Sequence, residues 1–353
     1  MAYHTTPYLL LFLPAALLFY QITPAKWRSY TLLIFSYLFF WSFSEKLIIY
    51  LIGTTFLTHH ICIWMDTMDK RDKRKKRVFQ LGILLLLGTI LCLKYRNFFF
   101  GNVSKLAMVL HIDWSYQDQL IFLPIGISFY TLSAIGYMAD VYWGKVKAEY
   151  SLVKTALFLG FFPVIVEGPI CRWEDVEDTL FKNESVKAEN VFKGCYRIIW
   201  GLFKKMIIAD RLAVLVDKVY VGYESYSGAV IVVAAISYTI QLYMEFSGCM
   251  DMVIGSAGLF GIRLPENFSQ PFFAKTCTDF WKRWHITLGV WFKNYIFYPV
   301  SISKTARKWN KFTRKHFKGD FGKYVARMGI AAMALFPVWI SNGLWHGPKW
   351  NYI

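Results

Sequence analysis

ARMGIAAMALFPVWISNGLWHG, residues 326–347, decides how the rest of this chain is read. From Met328 to Ile340 it is apolar on every side, and it then closes on a single imidazole, His346. A helix on a soluble domain carries its apolar residues as a stripe; one that is apolar all round faces lipid or a core on every side. Pro337 should kink the segment, and Asn342 with Gly343 should loosen its end. Blocks of the same kind recur at 7–23, 29–44, 46–65, 78–93, 120–139, 152–170, 192–215 and 229–247. Each approaches the ~20 residues that cross ~30 Å of hydrocarbon. Shorter apolar stretches near 97–112, 249–262 and 286–302 are broken by glycine or proline and read as re-entrant or interfacial. The fold class that follows is all-α, a polytopic membrane bundle of roughly nine to eleven embedded elements in one domain.

Composition agrees. Of 353 residues, 56% are hydrophobic and 19% aromatic, with mean hydropathy +0.35. The net charge of +17 is concentrated between the apolar blocks, in MDKRDKRKKR (68–77) and KTARKWNKFTRKHFKG (304–319). That is the signature of cytoplasmic loops and of contact with anionic lipid, and it argues against nucleic acid as partner. With Lys26 and Arg28 in the first loop and almost no positive charge around Ser44, the N-terminus is placed outside. The first twenty residues lack a basic leader region and a small-residue cleavage site, so they read as a retained helix. The six cysteines form no CxxC pair, which argues against a zinc site or a disulfide framework. No internal repeat is evident, which weakens a transporter reading.

Ionisable groups inside apolar segments mark candidate sites. Asp140 closes 122–145 and reads as an interfacial carboxylate beside Lys145. In FFPVIVEGPICRW (161–173), Glu167 is either an ion-pair partner of Arg172 or part of a site wall. Glu245 and Asp251 flank Gly248; on an unbroken helix they lie about 120° apart and make no acid–base pair. Gly255, Gly258 and Gly261 suit close helix approach. In DFWKRWHITLGVWFKNYIFYPV (279–300), Trp281, Trp284 and His285 share a face if the helix is continuous, and with Asp279, Lys282 and Arg283 this reads as an interfacial helix. Spacing alone leaves His285 and His346 between interfacial residues and proton carriers.

Six motifs in register sharpen this: LPIGISFYTLSAIGYMADVY, GPICRW, FKKMIIAD, QLYMEFSGCMDMVIGSAGLFGIRLPENFSQPF, FWKRWHITLGVWFKNYIFYPV and GLWHG. Together they resemble the membrane-bound O-acyltransferase (MBOAT) family, in its bacterial branch of alginate O-acetyltransferase-like proteins, from the N-terminus to the last residue. The resemblance implies a helical bundle around a tunnel and assigns catalysis to His346 at the WHG position. The family's RWH histidine, near the tunnel, maps onto His285. On this reading Asn342 or backbone N–H groups at the Gly343–Gly347 turn stabilise an oxyanion, and Trp281, Trp284, Arg283, Glu245 and Glu167 line the substrate path. No metal or tightly bound cofactor is implied; acetyl-CoA is the expected donor. The expected partners are an extracytoplasmic acetyltransferase and a cell-surface glycan acceptor, and the expected place is the cytoplasmic membrane. Where alginate-type members read DFSGYSDM, this chain has EFSGCMDM, with Glu245 for aspartate and Cys249 for tyrosine. Family members continue past WHG with further helices, so 1–353 is expected to be a single domain truncated at its C-terminal end. The competing readings are D-alanyl transfer to teichoic acid, a non-enzymatic polysaccharide or lipid transporter, and a membrane scaffold.

Overall fold

The structure, a computed structural model, describes residues 2–69, 72–120 and 122–352; Lys70 and Arg71 of the basic 66–77 loop lie outside them. Among the described residues there are sixteen α-helices and no strand. In chain order they are α1 (Leu13–Ile22), α2 (Arg28–Ser44), α3 (Ile48–Asp66), α4 (Lys73–Ile90), α5 (Arg96–Val109) and α6 (Ile127–Trp143). There follow α7 (Leu152–Gly160), α8 (Trp173–Leu180), α9 (Ala188–Leu202), α10 (Asp210–Val221) and α11 (Gly228–Leu259). The last are α12 (Cys277–Trp281), α13 (Ile286–Phe292), α14 (Tyr298–Ser301), α15 (Lys304–His316) and α16 (Gly319–His346). Single π-helical turns at Leu91–Tyr95, Phe203–Ala209 and Lys293–Phe297 join neighbouring helices into longer runs.

The helices are long and apolar enough to cross a membrane over Ala25–Asp66, Lys73–Val109, Gly228–Leu259 and Gly319–His346. The first of these is a hairpin: Glu45 adopts φ +44°, which ends α2. Tyr37 on α2 then lies beside Thr55 on α3, their hydroxyls 3.4 Å apart. α11, with 32 residues, is about 48 Å long, more than one hydrocarbon thickness. Large apolar side chains such as Leu84, Val214 and Val221 stand exposed on the bundle's outside, as lipid contact requires.

Helix contact inside the bundle is made by small residues and aromatic rings. On α9 and α11, Gly201 faces Gly248 and Gly194 faces Gly255, and a Cβ at Gly201 would stand 2.5 Å from the Gly248 carbonyl oxygen. Such pairs let backbones meet where lipid supplies no hydrophobic drive. At the N-terminal side, Tyr8, Phe39 and Phe162 are fully buried and pack edge-on. The Tyr8 hydroxyl donates to Ser256 Oγ on α11 at 2.9 Å, and Tyr3 to the Phe162 carbonyl at 2.9 Å.

Several local expectations change. The apolar run 152–170 is helical only to Gly160; Phe161–Arg172 is irregular and buried over most of its length, the condition under which bare backbone is tolerated at such depth. Helix α6 begins at Ile127, after Gly126 at φ +79°, where a Cβ would meet the Ile165 carbonyl at 1.9 Å. Helix α16 does not loosen at Asn342 and Gly343: it continues to His346. Asp140 does face Lys145, at 3.4 Å, but it is buried and also accepts from the Tyr295 hydroxyl at 2.5 Å. It therefore ties α6 to the run after α13.

Candidate functional site

RWH does not lie on one continuous helix. α12 starts with Thr276 accepting from the Asp279 N–H at 3.1 Å and stops at Trp281. His285 then adopts φ +46°, ψ +52°, and α13 begins at Ile286. An L-residue reaches that region at a steric cost, so something must hold it there. The segment 267–269 does so: Ser269 N–H donates to the Arg283 carbonyl at 3.0 Å, and Ile286 N–H to the Asn267 carbonyl at 2.9 Å. The shared face expected of Trp281, Trp284 and His285 is lost at this turn. Trp284 packs inward against Phe268 (5.2 Å) and Phe280, while Trp281 stays exposed and meets Trp339 of α16 edge-on at 5.5 Å.

The buried His285 ring is fixed by Asn267, which is itself completely buried. His285 Nδ1 lies 3.2 Å from Asn267 Oδ1. The same oxygen accepts from Thr287 N–H at 3.1 Å and from Thr287 Oγ1 at 3.0 Å. A backbone N–H can only donate, so that atom is the amide oxygen and Nδ1 must carry the proton. Nε2 is left as a free base. Thr287 Oγ1 in turn accepts from Ile170 N–H at 3.1 Å, which docks the Glu167–Gly168–Pro169 loop onto α13. The Phe246 ring of α11 covers His285 edge-on at 4.9 Å.

His346 ends α16 and is exposed, with no side-chain hydrogen bond among the described residues. Its surroundings are firmly set. Lys94 Nζ donates to the Trp345 carbonyl at 2.6 Å, satisfying an orphan carbonyl of the last helical turn. The Trp345 ring packs on Phe129 at 5.2 Å. Trp339 and Trp281 bring α16, which ends at His346, against α12, which leads into His285. Asn342, half-buried one turn before His346, has no side-chain hydrogen bond among the described residues.

The carboxylates stand differently from expectation. Arg172 pairs with Glu174 and with Asp175 at 2.7 Å, not with Glu167. The exposed Glu167 accepts from the buried Cys249 thiol at 3.2 Å instead. Glu245 binds Lys205 at 2.6 Å, and Asp251 binds Lys204 at 2.7 Å and Arg197 at 3.1 Å. α11 is unbroken at Gly248, so the two acids stay apart as their spacing requires. It is Phe246 and Tyr243 of α11, not Glu245, that touch the RWH turn. Arg283 is committed to Asp279 at 2.9 Å, while Lys282 is exposed. No cluster of three His, Cys, Asp or Glu side chains suited to a metal occurs among the described residues.

Sequence reasoning passed over Asn267, Thr287 and Lys94. The available signal was chemical: a histidine in an apolar stretch needs a polar partner, and Asn267 is the amide in PENF.

The sequence pattern of MBOAT, the membrane-bound O-acyltransferase family, matches residues 146–314. The probable alginate O-acetylase of Pseudomonas putida is 31% identical over all 353 residues, covering 68% of that protein. The peptidoglycan O-acetyltransferase of Helicobacter pylori is 28% identical over 99% of this chain and 67% of its own. The teichoic acid D-alanyltransferase of Bacillus subtilis is 28% identical over 65% of this chain and 55% of its own. The chain spans 63–68% of the length of the alginate relatives it matches. With an identity of 31% sustained along its whole length and an all-helical bundle, this chain belongs to the membrane-bound O-acyltransferase family.

Proposed function

We propose that this chain transfers acetyl groups from a cytoplasmic donor, acetyl-CoA, across the cytoplasmic membrane for O-acetylation of a cell-surface polysaccharide. The observation that carries this reading is that α12, which leads into His285, packs through Trp281 on Trp339 of α16, the helix that ends at His346. The relatives named for alginate and peptidoglycan O-acetylation support the acetyl group and the glycan acceptor.

His346, exposed and free of hydrogen bonds among the described residues, serves as general base. It takes the proton of the acceptor hydroxyl as that oxygen attacks the thioester carbonyl. The tetrahedral oxyanion collapses, the C–S bond breaks, and the imidazolium returns the proton to the departing thiolate. The Asn342 amide is the candidate donor to the oxyanion; Gly347 N–H already donates to the Gly343 carbonyl at 3.3 Å. His285, with Nε2 unprotonated, accepts a hydrogen bond along the same path, and Trp281 and Trp284 wall it. Glu167 and Glu245 sit further out and hold the surrounding loops and helices. An extracytoplasmic acetyltransferase completes transfer to the glycan, and the N-terminus lies on that outer side.

Expression in a host that makes the O-acetylated glycan tests this. His346→Ala should lower base-labile acetate on the glycan by at least about a hundredfold. Unchanged acetate at equal membrane abundance sinks the assignment. The B. subtilis relative favours one second reading, D-alanyl transfer; ester-linked alanine in place of acetate would establish it.

A further inference from the structure

A cavity of about 520 Å³ opens between the α8–α9 connection, the first turns of α9 and the end of α11. Lys182, Lys187, Lys193, Arg197 and Arg263 line it, against two carboxylates, Glu184 and Glu266. Both acids are already held: Glu184 by Lys182 at 2.7 Å and Lys187 at 2.9 Å, Glu266 by Arg197 at 2.5 Å. Arg263 has no ion-pair partner among the described residues. Its N–H is instead fixed by Thr179 Oγ1 at 3.1 Å, which anchors the wall. Lys193 is also held by Glu189 and Arg197 also by Asp251 at 3.1 Å, which leaves Arg263 as the lining cation without an acid partner among the described residues, beside a volume in the range of small-ligand sites.

Its place in the membrane is set by contacts. Arg28 donates to the Asn183 carbonyl at 2.9 Å, Ser29 to Asn183 Oδ1 at 2.7 Å, and Val186 N–H to Gln21 Oε1 at 2.9 Å. The loop carrying Lys182, Glu184 and Lys187 thus sits at the 21–29 end of the bundle. The α2–α3 hairpin returns the basic 66–77 loop to that same end, the end with the cytoplasmic charge signature. The cavity's other wall runs Arg263–Glu266 straight into Asn267, the residue that holds His285.

We propose that this cavity binds a phosphate-bearing group: the phosphates of a nucleotide-type acyl donor, or those of an anionic lipid headgroup. Lysine and arginine bind phosphate oxygens as Lys182 and Lys187 bind Glu184, and exposed pairs such as Lys182–Glu184–Lys187 exchange partners at small cost. Glu184 is the internal placeholder for the incoming anion. The donor source rests on the acyl-transfer reading, whereas phosphate binding stands without it.

Two arms separate the sources. In phosphatidylcholine nanodiscs, coenzyme A binding to the purified chain is measured by calorimetry; in nanodiscs doped with phosphatidylglycerol, retained lipid is counted by native mass spectrometry. Lys187→Glu with Arg263→Glu should weaken the signal about tenfold in the arm that holds the true ligand. Glu184→Gln should tighten it. The milder pair Lys187→Gln with Arg263→Gln, checked for unchanged elution on size exclusion, guards against misfolding. Loss confined to coenzyme A assigns the donor; loss confined to phosphatidylglycerol assigns the headgroup. Failure of the wild-type chain to bind either probe, or binding in both arms indifferent to all these variants, overturns the proposal. His346→Ala must leave binding intact; a wild-type chain that binds a probe but transfers no acetyl removes the acyl-transfer reading alone.

Discussion

Asn267 settles what His285 can do. Its Oδ1 gathers three donors, one of them a backbone N–H, so the imidazole presents its proton inward and its lone pair outward. Partners of this kind typically change activity 10–100-fold when removed. Asn267→Leu should therefore lower kcat about 10–100-fold with KM little changed, whereas Asn267→Asp, which keeps an acceptor, should recover most of it. Equal loss in both variants, tracking membrane abundance, would mean that the residue only packs. A second residue-scale expectation concerns Glu184. Hydrogen bonds from Lys182 and Lys187 hold its carboxyl at about 2, below the ordinary glutamate value. A depressed carboxyl stays ionised until pH falls through that value, so its hold on the two lysines is constant from pH 5 to pH 8. The affinity ratio between Glu184→Gln and wild type for a phosphate probe should then be flat across that window, whatever the probe's own titration.

At the scale of elements, the α9–α11 seam is the most demanding contact. Gly194, Gly201, Gly248 and Gly255 leave no room for a Cβ without moving backbone. Gly248→Leu should destabilise the bundle by about 1–3 kcal/mol or displace α9, read as a lower midpoint of thermal unfolding in detergent. Gly228→Ala, with nothing within 4 Å of the added Cβ, is the matched control. The second seam is Trp281 against Trp339. Trp339→Ala should leave the fold in place and reduce acetyl transfer, because the RWH turn loses its hold on α16. Transfer at the wild-type rate would show that the histidines are aligned by other contacts.

At the scale of the molecule, the apolar blocks were legible because lipid imposes one rule on every residue of a span. The long helices α2 to α4, α11 and α16 follow it, and so does the separation of Glu245 from Asp251, which is only helical geometry. What escaped reading was decided by contacts distant in sequence. The irregular Phe161–Arg172 segment looked like more helix because its residues are apolar; it is buried by protein, where period carries no information. The break at His285 was hidden because FWKRWHITLG has no glycine or proline before the turn, and the strained backbone is held by 267–269 instead. Nearness in sequence makes Arg172 one of two readings for Glu167, the other being a site wall, but Asp175 is one helical turn from the arginine and Cys249 reaches Glu167 from α11.

The Tyr8 hydroxyl reaches Ser256, 248 positions further along the chain. At a ribosomal rate of about 5–20 residues per second, that partner appears some 12–50 s after Tyr8 itself. Throughout that interval the short apolar run Pro7–Ile22 carries a phenol without its bundle partner, and Tyr3 waits for Phe162 in the same way. This apolar segment is thus made well before the contacts that lock it. Nascent chains arrested before α11 should expose it to membrane proteases, and those arrested after α11 should protect it.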